Sequence, residues 1–215
     1  MLDSHMFSAN FAVACTAYLI GVASPGPSNL AIMGTAMAHG RKRALALAAG
    51  VISGSLLWGI LAAFGLASLM RSYSAALIVI KVVGGVYLLW LSWKAARTAC
   101  STKPFDARAT APEAEGYRRS FVRGAAMHIT NPKAIFVWLS MVSLALPPSA
   151  GTGDAMMVVA SCGLIGAVVF GTYAIAFSTL TVRRAYQAIH RWFNATLACV
   201  FAYAGFRMLL SNQSR

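Results

Sequence analysis

The amino-acid sequence predicts an all-α integral membrane protein with six transmembrane helices in a 3+3 inverted repeat, the first and fourth helices broken at proline. Three observations predict it. Of 215 residues, 59% are hydrophobic and only 11% charged, whereas a soluble domain carries about a quarter charged residues. Mean hydropathy is +0.67. Apolar runs near the length a bilayer demands, about 20 residues, alternate with short polar stretches. Finally, the two halves of the chain repeat one pattern of proline breaks and helix ends.

In chain order the spans read Phe7 to Ala38, Leu45 to Met70, Ala75 to Ala96, Phe121 to Leu146, Ala155 to Leu180 and Ala195 to Leu210. The first exceeds one straight crossing and holds Pro25, Gly26 and Pro27. No basic stretch precedes it, so it is not a secretory signal peptide. Ser4, His5 and Met6 read equally as a cloning remnant or a native start. One loop is long, about 97–119, with Pro104, Pro112 and most of the acidic residues. It reads as a cytoplasmic linker within a single transmembrane domain covering 1–215.

Charge sets the orientation, because cytoplasmic loops hold the excess of Lys and Arg. Arg41, Lys42 and Arg43 follow the first span. Lys94, Arg97, Lys103, Arg108, Arg118, Arg119 and Arg123 follow the third, and Arg183, Arg184 and Arg191 the fifth. Thirteen of the eighteen basic residues thus fall on one side, against Arg71, Arg207 and Arg215 on the other. Both termini then lie outside the cytoplasm. The net charge of +13 would suit nucleic acid in a soluble protein, but these residues form no basic face with aromatic interleaving. Nucleic acid is not an expected partner; the bilayer is.

The repeat carries the functional reading. Trp90, Trp93 and Lys94 end the third span, and Tyr203, Phe206 and Arg207 end the sixth in the same register. Ser24 to Asn29 interrupts the first span, and Asn131, Pro132 and Lys133 interrupt the fourth. Three crossings per half force the halves into opposite orientations. That is the plan of secondary transporters, whose paired broken helices mark the substrate site.

A proline removes a backbone donor and clashes with the preceding turn, so Pro25 and Pro27 together interrupt the helix. The freed amides and carbonyls cannot face lipid and must face protein or a water-filled cavity. Amides beginning near Ser28 suit a carboxylate. Carbonyls near Val22 and Ala23 suit an ammonium group, so a zwitterion matches both poles. Lys133 lies about 12 residues into its span, where a cation costs roughly 2.5–3.5 kcal/mol or more. It must therefore face the interior, and no span contains Asp or Glu to pair with it. A substrate carboxylate would pair. Asn29 and Asn131 line the same cavity on this reading. His128, one turn before Asn131, is the candidate proton relay, with a polar packing contact as the alternative. Lys81, nearer a span end, snorkels.

Other marks point to no further chemistry. Cys15, Cys162 and Cys199 read as small hydrophobes, and Cys100 falls in the cytoplasmic loop. His5, His39, His128 and His190 lack metal-ligand spacing. No metal, cofactor or enzyme activity is expected. Gly50 and Gly54 have the spacing that lets helices approach closely, read as packing first and homodimerisation second. Trp58, Trp90, Trp93, Trp138 and Trp192 include interface anchors.

The runs Ala23 to Leu30, Gly40 to Arg43, Gly84 to Leu89 and Asn131 to Ala134, in this order, resemble the LysE/RhtB family of bacterial amino-acid exporters. The resemblance covers nearly the whole chain. It implies a multi-pass inner-membrane protein that exports amino acids or derivatives, driven by the proton gradient. Carried over, Ser24, Pro25, Gly26, Pro27, Ser28 and Asn29, with Asn131, Pro132 and Lys133, would line the path. One departure stands out: many members of that family carry an acidic residue early in the second span, where this chain has Ser55. Alternatives of the same architecture are export of another small metabolite or of a metal cation. A membrane redox carrier would need cysteines beside both breaks, and the fourth span has none.

Overall fold

Proline, glycine and a few polar residues punctuate an otherwise apolar chain. The computed structural model describes residues 2–24, 26–72, 74–101, 116–146 and 151–210, without the side chains of 2–10, 66–72, 74–81 and a few isolated positions. Among the described residues are eight helices: α1 (Leu2–Ala23), α2 (Pro27–His39), α3 (Arg41–Ser72), α4 (Ser74–Cys100), α5 (Tyr117–Ile129), α6 (Pro132–Ala145), α7 (Thr152–Ala176) and α8 (Leu180–Leu210). No strand occurs among them.

Local chemistry explains the boundaries. Pro27 opens α2 at its first position, where a missing N–H goes unnoticed and a fixed φ suits the helix. Pro132 opens α6 in the same way, behind Asn131, whose side chain accepts from the Lys133 N–H at 3.1 Å. Gly40 closes α2 at φ +81°, a left-handed conformation that glycine adopts without penalty. Asp154 in the first turn of α7 accepts from the Gly151 N–H at 2.9 Å, an anion where the helix dipole favours one.

Some boundaries differ from the sequence expectation. α1 starts upstream of Phe7. α7 stops at Ala176 rather than Leu180, and α8 begins at Leu180, not Ala195, running 31 residues. At 1.5 Å per residue that is about 46 Å, beyond the roughly 30 Å hydrocarbon core. Arg183, Arg184, His190 and Arg191 lower the hydropathy of its first half, yet nothing there breaks a helix. The expected linker also shortens, since α4 reaches Cys100 and α5 starts at Tyr117. Residues 102–115 lie outside the described residues.

Among the described residues, two stretches are long and apolar enough to cross a membrane alone, Arg41–Ala63 of α3 and the whole of α7. Phe11–Ala23 and Pro27–His39, bent by 51° at the break, make a third if taken as one span. α6 adds a shorter apolar stretch, Pro132–Val142. The fold is all-helical and of the membrane class.

The chain divides into two compact units, 1–68 with 106–182 and 69–105 with 183–215. In the first, α1 packs on α6 and α7, and α2 on α7 and α5. α3 and α5 touch backbone to backbone. A Cβ on Gly50 would run into the Phe121 carbonyl, and one on Gly124 into the Leu47 carbonyl. The small-residue stripe therefore serves packing within the chain.

In the second unit, Leu91 and Ala95 of α4 form a small core with Leu197, Ala198 and Phe201 of α8. A Cβ on Gly205 would lie 3.0 Å from the Gly85 carbonyl. Ser92 Oγ donates to Ala198 O at 2.7 Å, and Arg191 Nε to Ala99 O at 3.0 Å.

The tryptophans do not all anchor at interfaces. Trp90, Trp93 and Trp192 are exposed, whereas Trp138 is 1% exposed. Its indole N–H finds a buried acceptor, so it needs no wet boundary. Trp58 Nε1 donates to Ile129 O at 3.0 Å. The side chains of Lys81 and Arg207 lie outside the described residues.

Candidate functional site

Each helix interruption frees backbone groups that lipid cannot satisfy, and in the first unit the two interruptions meet. Lys133, the second residue of α6, is 7% exposed. Its Nζ donates to the Ser24 carbonyl at 2.6 Å and to Ser24 Oγ at 2.7 Å. Ser24 Oγ in turn donates to Gly21 O at 2.7 Å. These oxygens sit just past the C-terminal end of α1, the negative pole of that helix. Among the described residues no carboxylate pairs with the ammonium. Gly26 makes room for it: a Cβ there would lie 3.1 Å from both Cδ and Nζ of Lys133. The extended backbone at Gly26 (φ −142°, ψ −179°) suits any residue, so the glycine serves close approach, not conformation.

A second set of bonds holds the breaks together. Ser28 Oγ and His128 Nδ1 share a hydrogen bond of 2.9 Å, and Asn131 Nδ2 donates to Ser28 Oγ at 3.4 Å. One hydroxyl thus ties α2 to the end of α5 and the cap of α6. The His128 ring meets Phe170 edge-on, centres 5.7 Å apart. Asn29 Nδ2 donates to Val22 O at 2.8 Å and to Ser24 O at 3.3 Å, and the Tyr173 hydroxyl to Ala23 O at 2.7 Å. This corrects one expectation. The carbonyls of Val22 and Ala23 are not waiting for a free ammonium, because leaving them bare in this interior is costly. Protein donors already hold them, and an ammonium of the protein holds Ser24.

Tyr18, Gly26, Ser28, Asn29, Ser55, His128, Asn131, Lys133, Trp138 and Phe170 line a narrow cleft with about 20 Å³ of free space. That is room for about one water molecule, so a small molecule enters only once the lining side chains part. One wall is a polar cluster: Trp138 Nε1 donates to Ser55 Oγ at 2.9 Å, and Ser55 Oγ and the Tyr18 hydroxyl lie 3.1 Å apart. The Tyr18 and Trp138 rings pack tilted, centres 5.0 Å apart.

Of the residues the sequence singles out, the structure brings Ser24, Gly26, Ser28, Asn29, His128, Asn131 and Lys133 together. Pro27 and Pro132 open the two helices that present them, and Pro25 lies outside the described residues. Sequence reasoning missed Tyr18, Phe170 and Tyr173, and took Ser55 and Trp138 for other things. Tyr18, Tyr173 and Trp138 carry one signal, a polar-capable aromatic inside an apolar run, and Phe170 carries none. The thiols of Cys15 and Cys162 meet between α1 and α7, apart from both interruptions in sequence. No group of three or more His, Cys, Asp or Glu that could hold a metal occurs among the described residues.

Known proteins match this chain over most of its length. The family profile described as LysE type translocator matches residues 19–212, a stretch that contains both interruptions and Lys133. The threonine efflux protein of Salmonella typhi is 29% identical over 196 residues, covering 90% of this chain and 94% of that protein. The cysteine/O-acetylserine efflux protein of Salmonella paratyphi A is 29% identical over 192 residues, covering 88% and 92%. The leucine efflux protein of Klebsiella pneumoniae subsp. pneumoniae is 32% identical over 127 residues, covering 57% and 58%. No solved structure matches this chain. A membrane translocator on this evidence, the chain belongs to the LysE type translocator family.

Proposed function

We propose that this protein exports amino acids or their derivatives across the bacterial inner membrane, as a secondary transporter driven by the proton gradient. Relatives named for efflux of threonine, leucine and cysteine or O-acetylserine support the cargo class. The observation that carries the reading within this chain is Lys133, a buried ammonium held by Ser24 with no carboxylate beside it. When cargo enters, its carboxylate draws Lys133 off Ser24, and its own ammonium takes the Ser24 oxygens thus vacated. The first-turn amides of α2, which no side chain caps, add donors for the carboxylate. A zwitterion adds an anion and a cation together, so the net buried charge is the same in the empty and loaded states.

The whole chain, 1–215, acts as one domain of six spans with both termini outside the cytoplasm, the halves inverted about the paired breaks. His128, joined to Ser28, is the candidate proton carrier. Two experiments test the reading. Purified protein in vesicles loaded with labelled amino acids should release them, faster with an opposing proton gradient and slower with an uncoupler. Retention of every amino acid offered would refute the cargo class. A reporter fused after Arg215 should be silent if it works only in the cytoplasm; activity would overturn the orientation.

A further inference from the structure

Counting protons in the polar cluster of the cleft wall exposes an imbalance. Trp138 Nε1–H, Ser55 Oγ–H and Tyr18 Oη–H are three donors. The indole N–H is spent on Ser55 Oγ at 2.9 Å, and one hydroxyl proton is spent on the 3.1 Å bond between Ser55 and Tyr18. Whichever hydroxyl donates in that bond, the other keeps a proton with no acceptor among the described residues. Ser55 is 3% exposed and Tyr18 0% exposed, so bulk water does not take it. A buried donor left unmade is costly. Both residues line the cleft that Lys133 lines.

We propose that Ser55, Tyr18 and Trp138 form the subsite for the cargo's side chain, and that their spare hydroxyl proton selects a side chain carrying an oxygen acceptor. The preferred cargo is then a small hydroxy amino acid over its aliphatic counterpart of equal size. This rests on the amino-acid reading above. Threonine and valine match in volume and differ by the hydroxyl, so they isolate the effect, as do serine and alanine. Leaving the donor unpaired against valine weakens it by about ten- to a hundredfold.

The test is competition against labelled threonine exchange in vesicles holding the purified protein. Unlabelled threonine should compete at least about tenfold better than valine, and serine better than alanine. Two variants sharpen it. Tyr18→Phe removes one proton but also releases the proton of Ser55, so the preference for threonine survives. Ser55→Ala combined with Tyr18→Phe and Trp138→Phe removes all three donors, so the preference disappears. Valine competing as well as threonine with the unaltered protein overturns the subsite and leaves amino-acid export standing. Loss of preference in Tyr18→Phe, or its retention in the triple variant, also overturns it. If no amino acid exchanges, the subsite and the export reading fall together.

Discussion

The two helix interruptions share a proline at the first position of the following helix, yet they end their helices in opposite ways. At the first, Gly26 caps α2 with no side chain, and the carbonyls of Val22, Ala23 and Ser24 take donors from Asn29, Tyr173 and Lys133. At the second, Asn131 caps α6 itself, and Thr130 Oγ1 donates back to Ala126 O at 2.9 Å. The second break is closed mostly by its own residues, with Trp58 of α3 donating to Ile129 O, and it has a donor to spare, the Lys133 ammonium. The first lacks donors and reaches for that one. The two breaks are therefore complementary rather than alike: one supplies acceptors, the other a cation, and on the proposed function a cargo with both charges exchanges for their mutual contact.

Substitutions on the two sides should expose this difference. The largest effect belongs to Lys133→Met, which removes the donor both breaks share. Loss of a charge-assisted bond costs roughly 1.5–3 kcal/mol, so apparent affinity in vesicle efflux should fall by about ten- to a hundredfold. The protein should stay folded, because a buried cation leaves with its bonds. Next comes Asn29→Leu at the dependent break. It takes the donor from Val22 O while Ser24 O keeps Lys133, costing about 1–3 kcal/mol of stability, read as a lower melting temperature in detergent. Asn131→Ala at the self-capped break removes a cap worth about 1 kcal/mol, a smaller drop in the same assay. If the two asparagines ranked the other way, the contrast between the breaks would fail. The smallest change is Thr35→Val on α2. Thr35 Oγ1 is buried without a hydrogen-bond partner, so removing it should raise the melting temperature slightly.

Much of this was legible in residues, and the remainder was hidden for physical reasons. Prolines announced where helices stop, since the ring leaves the chain little choice. Lys133 announced the interior, since a cation has nowhere else to go in lipid. Asn29 lines the cleft as read, but its amide is spent on the carbonyls of Val22 and Ser24. A sequence lists donors without saying which acceptor claims them. Tyr18 and Trp138 were invisible because α1 and α6 are apolar almost all round, and periodicity then distinguishes no face. Residues 180–194 were hidden for the reverse reason, since their charges masked a continuous helix.

The central claim is that Lys133 meets the carboxylate of the cargo, and a cycle between ligand and residue tests it most directly. Competition by threonine and by threoninol, its carboxylate-free analogue, should be measured against labelled threonine exchange with the unaltered protein and with Lys133→Met. The account predicts that the carboxylate improves competition by about ten- to a hundredfold with Lys133 present and confers almost no advantage once methionine replaces it. Equal weakening of both ligands by Lys133→Met, with the carboxylate's advantage intact, would contradict it and assign Lys133 to holding the two breaks together alone.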